Sequence, residues 1–381
     1  MKTAFVIIVL SVTLLFSQPK PISLSATNPV SIGRPNEIIS IDLSGVYQKH
    51  PELRHIPLIV REGKKELVSQ TIDNNSDGEA DELIFQASFR SKEKKDFLLS
   101  PKITKDLKKY QSHVDGRFVA PREDFAWEND RIAFRMYGPA LAAEVNNGID
   151  VWTKRVRYPI VKKWYEGEEQ DPKIVYHIDH GEGADFFNVG RSLGAGGSGL
   201  FLNGHLIQPG VFSHYKIIAN GPLRVIFDVY YDAWNLGGKK GLQRKRISLD
   251  AGSQLNTIED EFVFNYPPDS LVIAAGLVKR SNTTFQTADD RQWMSLWGLT
   301  TADSVNGFLG TAVVFPAAVN GVDEDSLQYL LRTSIGSNKK FTYYAGAAWT
   351  RMGDIQSEKE WTEYLKKFVE ALQHPLTITI N

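Results

Sequence analysis

The 381-residue chain contains no cysteine. That excludes disulfide staples, thiolate nucleophiles, Cys-based zinc sites and a lipidated cysteine, and leaves the fold to be held by its core alone. A charge imbalance is also missing. With 44 Lys and Arg against 45 Asp and Glu, the formal net charge is −1, so no global field draws nucleic acid or an anionic membrane. Any preference for an anionic ligand must come from local arginines and lysines. Long apolar runs are confined to one place, where Lys2 precedes Ala4 to Phe16, apolar except for Ser11 and Thr13, and Ser17, Gln18, Pro19 and Pro21 follow. As a helix rising ~1.5 Å per residue this run reaches about 20 Å, short of the ~30 Å hydrocarbon core. It reads as a secretory signal peptide over residues 1–22. The expectation is a periplasmic or secreted protein with no membrane span after signal removal and no nucleic-acid partner.

What is abundant is turn residues and aromatics: 30 Gly, 17 Pro, 8 Trp, 14 Tyr and 20 Phe. Apolar runs are short and alternate with polar positions at period two, which predicts an all-β fold, a large antiparallel β-sandwich. In 131–137, Ile132, Phe134 and Met136 share one face and Arg131, Arg135 and Tyr137 the other. From 223 to 230, Leu223, Val225, Phe227 and Val229 are set against Arg224, Ile226, Asp228 and Tyr230, a polar face suited either to a sugar-binding hollow or to solvent. The clear helix signal is 357–373, where Trp361, Leu365, Phe368 and Leu372 recur at helical spacing before Pro375. Residues 376–380 suit one more strand. A small N-terminal β-domain is expected over 23–115, and a catalytic β-sandwich over 116–381.

Several segments carry candidate chemistry. Asp73 to Glu82 spaces oxygen side chains like a calcium loop, but Ile84 stands where a bidentate carboxylate is needed, so a glycine-turned hairpin competes with it. The densest stretch is Tyr176-His177-Ile-Asp179-His180-Gly181-Glu182-Gly183-Ala-Asp185. A histidine beside a carboxylate can act as a general base or acid near neutral pH. The same atoms could ligate a divalent metal, with His177, His180 and Asp185 as the candidate ligands, or form a self-satisfied polar loop. Gly190 to Gly199 lacks the Gly-Lys-Ser/Thr ending of a phosphate loop, and reads better as bare backbone that a sugar can approach, with Arg191 to pair with a carboxylate or sulfate. His205, His214 and Tyr215 follow, each histidine readable as scaffold. Glu144, Glu182 and Asp185 could supply a glycosidase-like carboxylate pair. Trp152, Trp234, Trp297 and Trp349 are candidates for stacking on sugar rings or for the core.

The Trp127-Glu-Asn-Asp130-Arg131-Ile-Ala-Phe-Arg-Met-Tyr137-Gly-Pro139 strand, the Tyr176–Asp185 motif, the Gly194-Ala-Gly196-Gly197 loop and Tyr343-Tyr-Ala-Gly346-Ala-Ala-Trp349 together resemble a family of exported bacterial proteins known as a domain of unknown function, DUF4861. The resemblance spans nearly the whole mature chain. It implies a galactose-mutarotase-like sandwich, a fold shared with many polysaccharide lyases, and a role in marine polysaccharide breakdown. The activity implied is that of an ulvan oligosaccharide dehydratase, which removes water from a non-reducing-end glucuronic or iduronic acid and leaves a 4,5-unsaturated uronic acid. The partner would be a sulfated, uronic-acid-containing oligosaccharide.

Such an elimination needs a base for the C5 proton, an acid for the leaving 4-hydroxyl and neutralisation of the adjacent carboxylate. On residue chemistry, His177 or His180 is the candidate base, and Tyr215 or the other histidine the acid. Lys154, Arg191 or Arg224 is the carboxylate clamp, and Trp349 a stacking platform. The same residues would serve a lyase that expels a sugar in place of water. A non-catalytic carbohydrate-binding protein or a mutarotase-like epimerase is the reading from a different class.

Overall fold

The computed structural model describes residues 20–380 apart from 103–109, 121, 237–238, 265–269, 291, 318 and 337–338. The signal-peptide segment therefore lies, but for its last three residues, outside the described residues. Among those described, no helix is long and apolar enough to cross a membrane.

The expected all-β architecture is present, and among the described residues every pairing between strands is antiparallel. The N-terminal unit is a small sandwich. One sheet has the order Thr377–Ile380, Ile22–Thr27, Lys94–Pro101, Leu58–Glu62 and Lys65–Glu66, and the other Arg34–Asp42, Glu82–Phe89 and Ser69–Ile72. Leu24, Ile39, Ile41, Val60, Leu83, Phe85, Phe97 and Leu99 fill the space between them. A short helix, α1 (Leu43–Lys49), is capped by Asp42, which accepts from the Ser44 amide at 2.9 Å. The boundaries 23–115 and 116–381 miss one feature of this unit. Its outer edge is the last strand of the chain, in register Leu24 to Ile380, and Leu376, Ile378 and Ile380 pack on the N-terminal core. The Asp73 loop is a self-contained turn: Asp73 accepts from the amides of Ser76 (2.6 Å), Asp77 (3.2 Å) and Gly78 (2.8 Å), so its oxygens are occupied by its own backbone.

The larger unit is built on an eight-stranded sheet, ordered His214–Asn220, Arg224–Leu236, Lys239–Asp250, Leu255–Phe264, Lys340–Trp349, Phe308–Val314, Trp293–Leu299 and Thr283–Thr287. Two five-stranded sheets cover its inner face. One comprises Val114–Val119, Asp124–Asn129, Ala133–Met136, Asp150–Lys154 and Gly183–Ala184. The other comprises Ala195–Leu202, His205–Ile207, Leu271–Val278, Gly321–Glu324 and Gln328–Ile335. Among the described residues, one parallel bridge, Ile149 to Gly194, joins them. The shared core includes Phe125, Trp127, Phe134, Phe227, Tyr231, Ile247 and Tyr343. The alternation read at 223–230 holds, with Leu223, Val225, Phe227 and Val229 in this core. The opposite face is an ion-pair ladder and not a hollow, with Asp228 held by Arg246 at 2.7 Å. The expected C-terminal helix is α3 (Glu358–Gln373), capped by Ser357; its Trp361 and Leu365 pack beside Trp297 and Ala312. A further helix, α2 (Val161–Gln170), was not legible in the sequence.

Arg224 belongs to the junction of the two units. Its guanidinium bonds Asp250 (2.9 Å) and Glu82 (3.2 Å), while the Gln70 side chain accepts from its backbone amide and donates to its carbonyl. With both carboxylates engaged, it is a strut and not the clamp expected from its position in the sequence.

Candidate functional site

The site begins with three strands that are buried on both faces. Phe125, Trp127, Phe134, Met136 and Val151 point toward the eight-stranded sheet. By alternation, Asp124, Ala126, Glu128, Ala133, Arg135, Asp150, Trp152 and Lys154 line the other face, in the registers Arg135 to Asp150 and Ala133 to Trp152. That face would be solvent-exposed in a simple sandwich. Here α2 and the 171–187 segment cover it, with Trp164, Tyr165 and Tyr176 packed on Trp152.

Under this cover lies a cluster of three aspartates around one arginine. Arg135 donates to Asp150 from both Nε (2.9 Å) and Nη2 (2.6 Å), to Asp185 from Nη2 (2.9 Å) and to Tyr176 Oη from Nη1 (3.2 Å), and sits 3.7 Å from Asp124. Tyr165 donates to Asp124 at 3.0 Å. All four charged groups are buried. Three carboxylates against one guanidinium is an excess of negative charge in a low-dielectric site, which favours holding protons. Burial pushes Asp124 up to about 6 and Asp185 well above the usual carboxylate range, with the neighbouring Asp150 adding to both.

A pH dependence follows for Asp124. Its folded value of about 6 lies above the ordinary 3.8, so its contribution to stability is fully present below about pH 4 and is lost as the pH rises through about 6. Two units correspond to at most about 3 kcal/mol. Asp124→Asn keeps an acceptor for Tyr165 and removes the titration. Urea denaturation should show the wild type losing stability relative to this variant between pH 4 and 7; parallel curves would refute the assignment.

The 176–185 motif crosses the rim of this cluster. Asp179 turns the chain by accepting from the amides of Gly181 (2.8 Å) and Gly183 (3.0 Å), which is the glycine-dependent bend expected. Gly183 has φ +118°, and a Cβ there would meet the Thr153 carbonyl oxygen at 2.1 Å, so only glycine lets this strand edge close on Lys154. His177 keeps 58 % of its side chain exposed. Its Nδ1 lies 3.0 Å from the Asp185 carbonyl oxygen and 3.5 Å from the Asp185 carboxylate. The carbonyl oxygen can only accept, so Nδ1 carries a hydrogen, which leaves Nε2 as the ring nitrogen that can exchange a proton. His180, also exposed, lines a groove of about 840 Å³ with Arg117, Lys162, Lys163, Trp164, Tyr176 and Glu182. Glu182 is held ionised, its pKa lowered by bonds from Lys163 (2.7 Å), Tyr158 and Trp164.

The other residues singled out in the sequence lie elsewhere. Lys154 is fully buried, with Nζ donating to Glu128 (2.6 Å) and to the carbonyls of Asn129 and Tyr158 (2.8 Å each). It is a structural counter-ion and not a clamp. Trp349 is 1 % exposed and donates to the Asn306 carbonyl at 2.7 Å, so it is a core residue and not a platform; Trp152 and Trp297 are buried too. Tyr215 stacks on Phe118 and contacts Phe125, on the sheet face opposite Arg135, and cannot serve as acid beside His177. Arg191 is exposed and spends its guanidinium on the Ala143 carbonyl. The glycine loop it introduces is packed interior: a Cβ at Gly196 would meet that of Ala345 at 2.1 Å. Glu144 is solvent-exposed while Asp185 is buried, so these two form no glycosidase pair. A metal does not fit His177, His180 and Asp185, because Asp185 directs its carboxylate to Arg135 while His180 lines the outer groove. Among the described residues no group of three or more His, Asp or Glu side chains could hold one. Arg135, Asp124, Asp150 and Tyr165 were not singled out as site residues; the signal for Arg135 was its place with Tyr137 on the polar face of an alternating strand.

The sandwich as a whole is of a known kind. It superposes on a protein in glycosyl hydrolase family 38 from Enterococcus faecalis with a TM-score of 0.52 at 8 % identity, covering 95 % of this chain and 47 % of that one, so the chain spans about half the length of the structure it matches. An alpha-mannosidase from Enterococcus faecalis aligns with a TM-score of 0.48 at 9 % identity, over 95 % of this chain and 46 % of its own. The chain belongs to the DUF4861 family, described as a domain of unknown function, whose pattern matches residues 26–378. The "Uncharacterized protein P7" of Formosa agariphila is 32 % identical over 385 residues, covering 94 % of this chain and 93 % of that protein.

Proposed function

We propose that the protein is a carbohydrate-active lyase that removes water from the terminal uronic acid of an oligosaccharide, leaving a 4,5-unsaturated sugar. The observation that carries this reading is His177: one ring nitrogen is pinned to the Asp185 carbonyl and the other is free, at the rim of a buried acid cluster. A neutral imidazole oriented in this way is suited to take the C5 proton. As it does so, the C5–H electrons form the C4–C5 double bond and the 4-hydroxyl departs with a proton from an acid. His180 in the groove is the candidate acid. Arg117, Lys162 and Lys163 lie along the groove, each facing a carboxylate (Asp115, Glu166 and Glu182) that an acidic sugar would have to displace, and a sulfated ulvan-type chain is the proposed substrate. The sandwich it shares with a glycosyl hydrolase family 38 protein supports the sugar reading. The N-terminal apolar run supports a periplasmic or secreted location.

The test is to incubate the purified protein with a panel of uronic-acid-terminated oligosaccharides, recording ultraviolet absorbance and mass. Dehydration lowers the mass by one water without shortening the chain, while a new chromophore appears. The same chromophore on shortened products would replace the dehydratase with a polysaccharide lyase. Binding without any chromophore would reject elimination altogether.

A further inference from the structure

Among the described residues, the two fully buried arginines and the partly buried Arg224 at the junction of the units are each matched with a carboxylate, and Arg280 is not. Arg34 pairs with Glu37 (3.3 Å), Arg135 with Asp150 (2.6 Å), and Arg224 with Asp250. Arg280 follows the Leu271–Val278 strand and is partly buried. It donates to two backbone carbonyls, Leu299 (3.1 Å) and Leu309 (2.9 Å). Its Nε is buried with no partner, and among the described residues no carboxylate lies within 4.0 Å of it. Carbonyl dipoles orient a guanidinium but do not cancel its charge, and an uncompensated buried cation is costly. With nothing to offset it, burial pulls the Arg280 pKa down to about 10.

Its position gives the unpaired charge a use. The guanidinium carbon lies 5.8 Å from the centre of the Phe187 ring. Phe187 is two residues beyond Asp185, whose carbonyl fixes His177, and two residues of extended chain span at most ~7 Å. One short segment therefore carries the contacts of both the free imidazole and the unmatched cation. We propose that Arg280 is a substrate-binding residue that completes its ion pair with the carboxylate of an acidic sugar. This deepens the elimination reading and rests on it for the identity of the ligand. Neutralising the carboxylate on C5 is what makes the neighbouring proton removable, so the cation supplies the function for which the carboxylate-paired Lys154 and Arg224 are not free.

The experiment measures thermal unfolding of the wild type, Arg280→Gln and Arg280→Met with D-glucuronate, glucose or inorganic sulfate as probes. The wild-type Tm should rise with glucuronate and not with glucose, and both variants should lose that rise. A charge-assisted hydrogen bond is worth ~1.5–3 kcal/mol, which sets the expected loss of affinity at roughly 10- to 100-fold. Without ligand, Arg280→Met should unfold at the wild-type Tm or above it, because it removes an unmatched charge; a purely structural arginine would give the reverse. The assignment is overturned if the wild type ignores glucuronate, if Arg280→Gln responds as the wild type does, if Arg280→Met alone is markedly less stable, or if sulfate gives an equal rise. The dehydration assay separates the two ideas. Unsaturated product with Arg280-independent binding would sink this inference alone; Arg280-dependent glucuronate binding without product would sink elimination alone.

Discussion

Replacing His177 with alanine should lower the rate of unsaturated-sugar formation by roughly 10² to 10⁴-fold, the usual contribution of a positioned general base. The fold should survive, because the imidazole is more than half exposed and its hydrogen bond goes to the Asp185 carbonyl at the rim of the cluster. Circular dichroism and the unfolding midpoint should therefore match the wild type while the chromophore vanishes. His177→Gln sharpens the test: glutamine can still donate to the carbonyl but offers no basic nitrogen, so it should be as inactive as alanine. An alanine variant within a few-fold of wild-type turnover would remove His177 from the mechanism and shift the base to His180.

The largest effect on stability is expected at Lys154. Lys154→Met leaves Glu128 buried without its cation, and breaking such a pair from one side costs about 3–5 kcal/mol. Glu128 also accepts from the amides of Ile160 and Val161 at 2.8 Å, where α2 begins, so the loss should reach the helix that roofs the acid cluster. Urea denaturation should show a fall of that size. The double variant Lys154→Met with Glu128→Gln, which removes both charges, should recover part of it. A single variant of wild-type stability would mean that the pair is not the strut described here, and would reopen the clamp role.

The all-β class, α3 and the faces of the strands at 131–137 and 223–230 were legible because each depends on local periodicity, and the glycine-dependent bend at 181–183 depends on local backbone chemistry. The roles of charged residues were not. Lys154, Arg224 and Arg135 look alike in a sequence, yet one is a buried strut, one joins two sandwiches and one centres an acid cluster. What separates them is which distant segment covers each strand face, and a period-two pattern does not encode that. The helix α2 was missed for a related reason: five of its ten residues are charged, and only Val161, Trp164 and Tyr165 are buried. Trp349 shows the opposite limit, since an indole fits a sugar platform or a core equally well until its surroundings are known.

The first sandwich is sealed by the final strand. During synthesis, residues 22–27 can pair with 94–101 early, but their other edge stays open until residues 377–380 have been made. An open edge invites pairing with another chain. The amino-terminal unit therefore cannot complete its sheet until residues 377–380 have been made, and a change at that strand should be felt at the far end of the sequence.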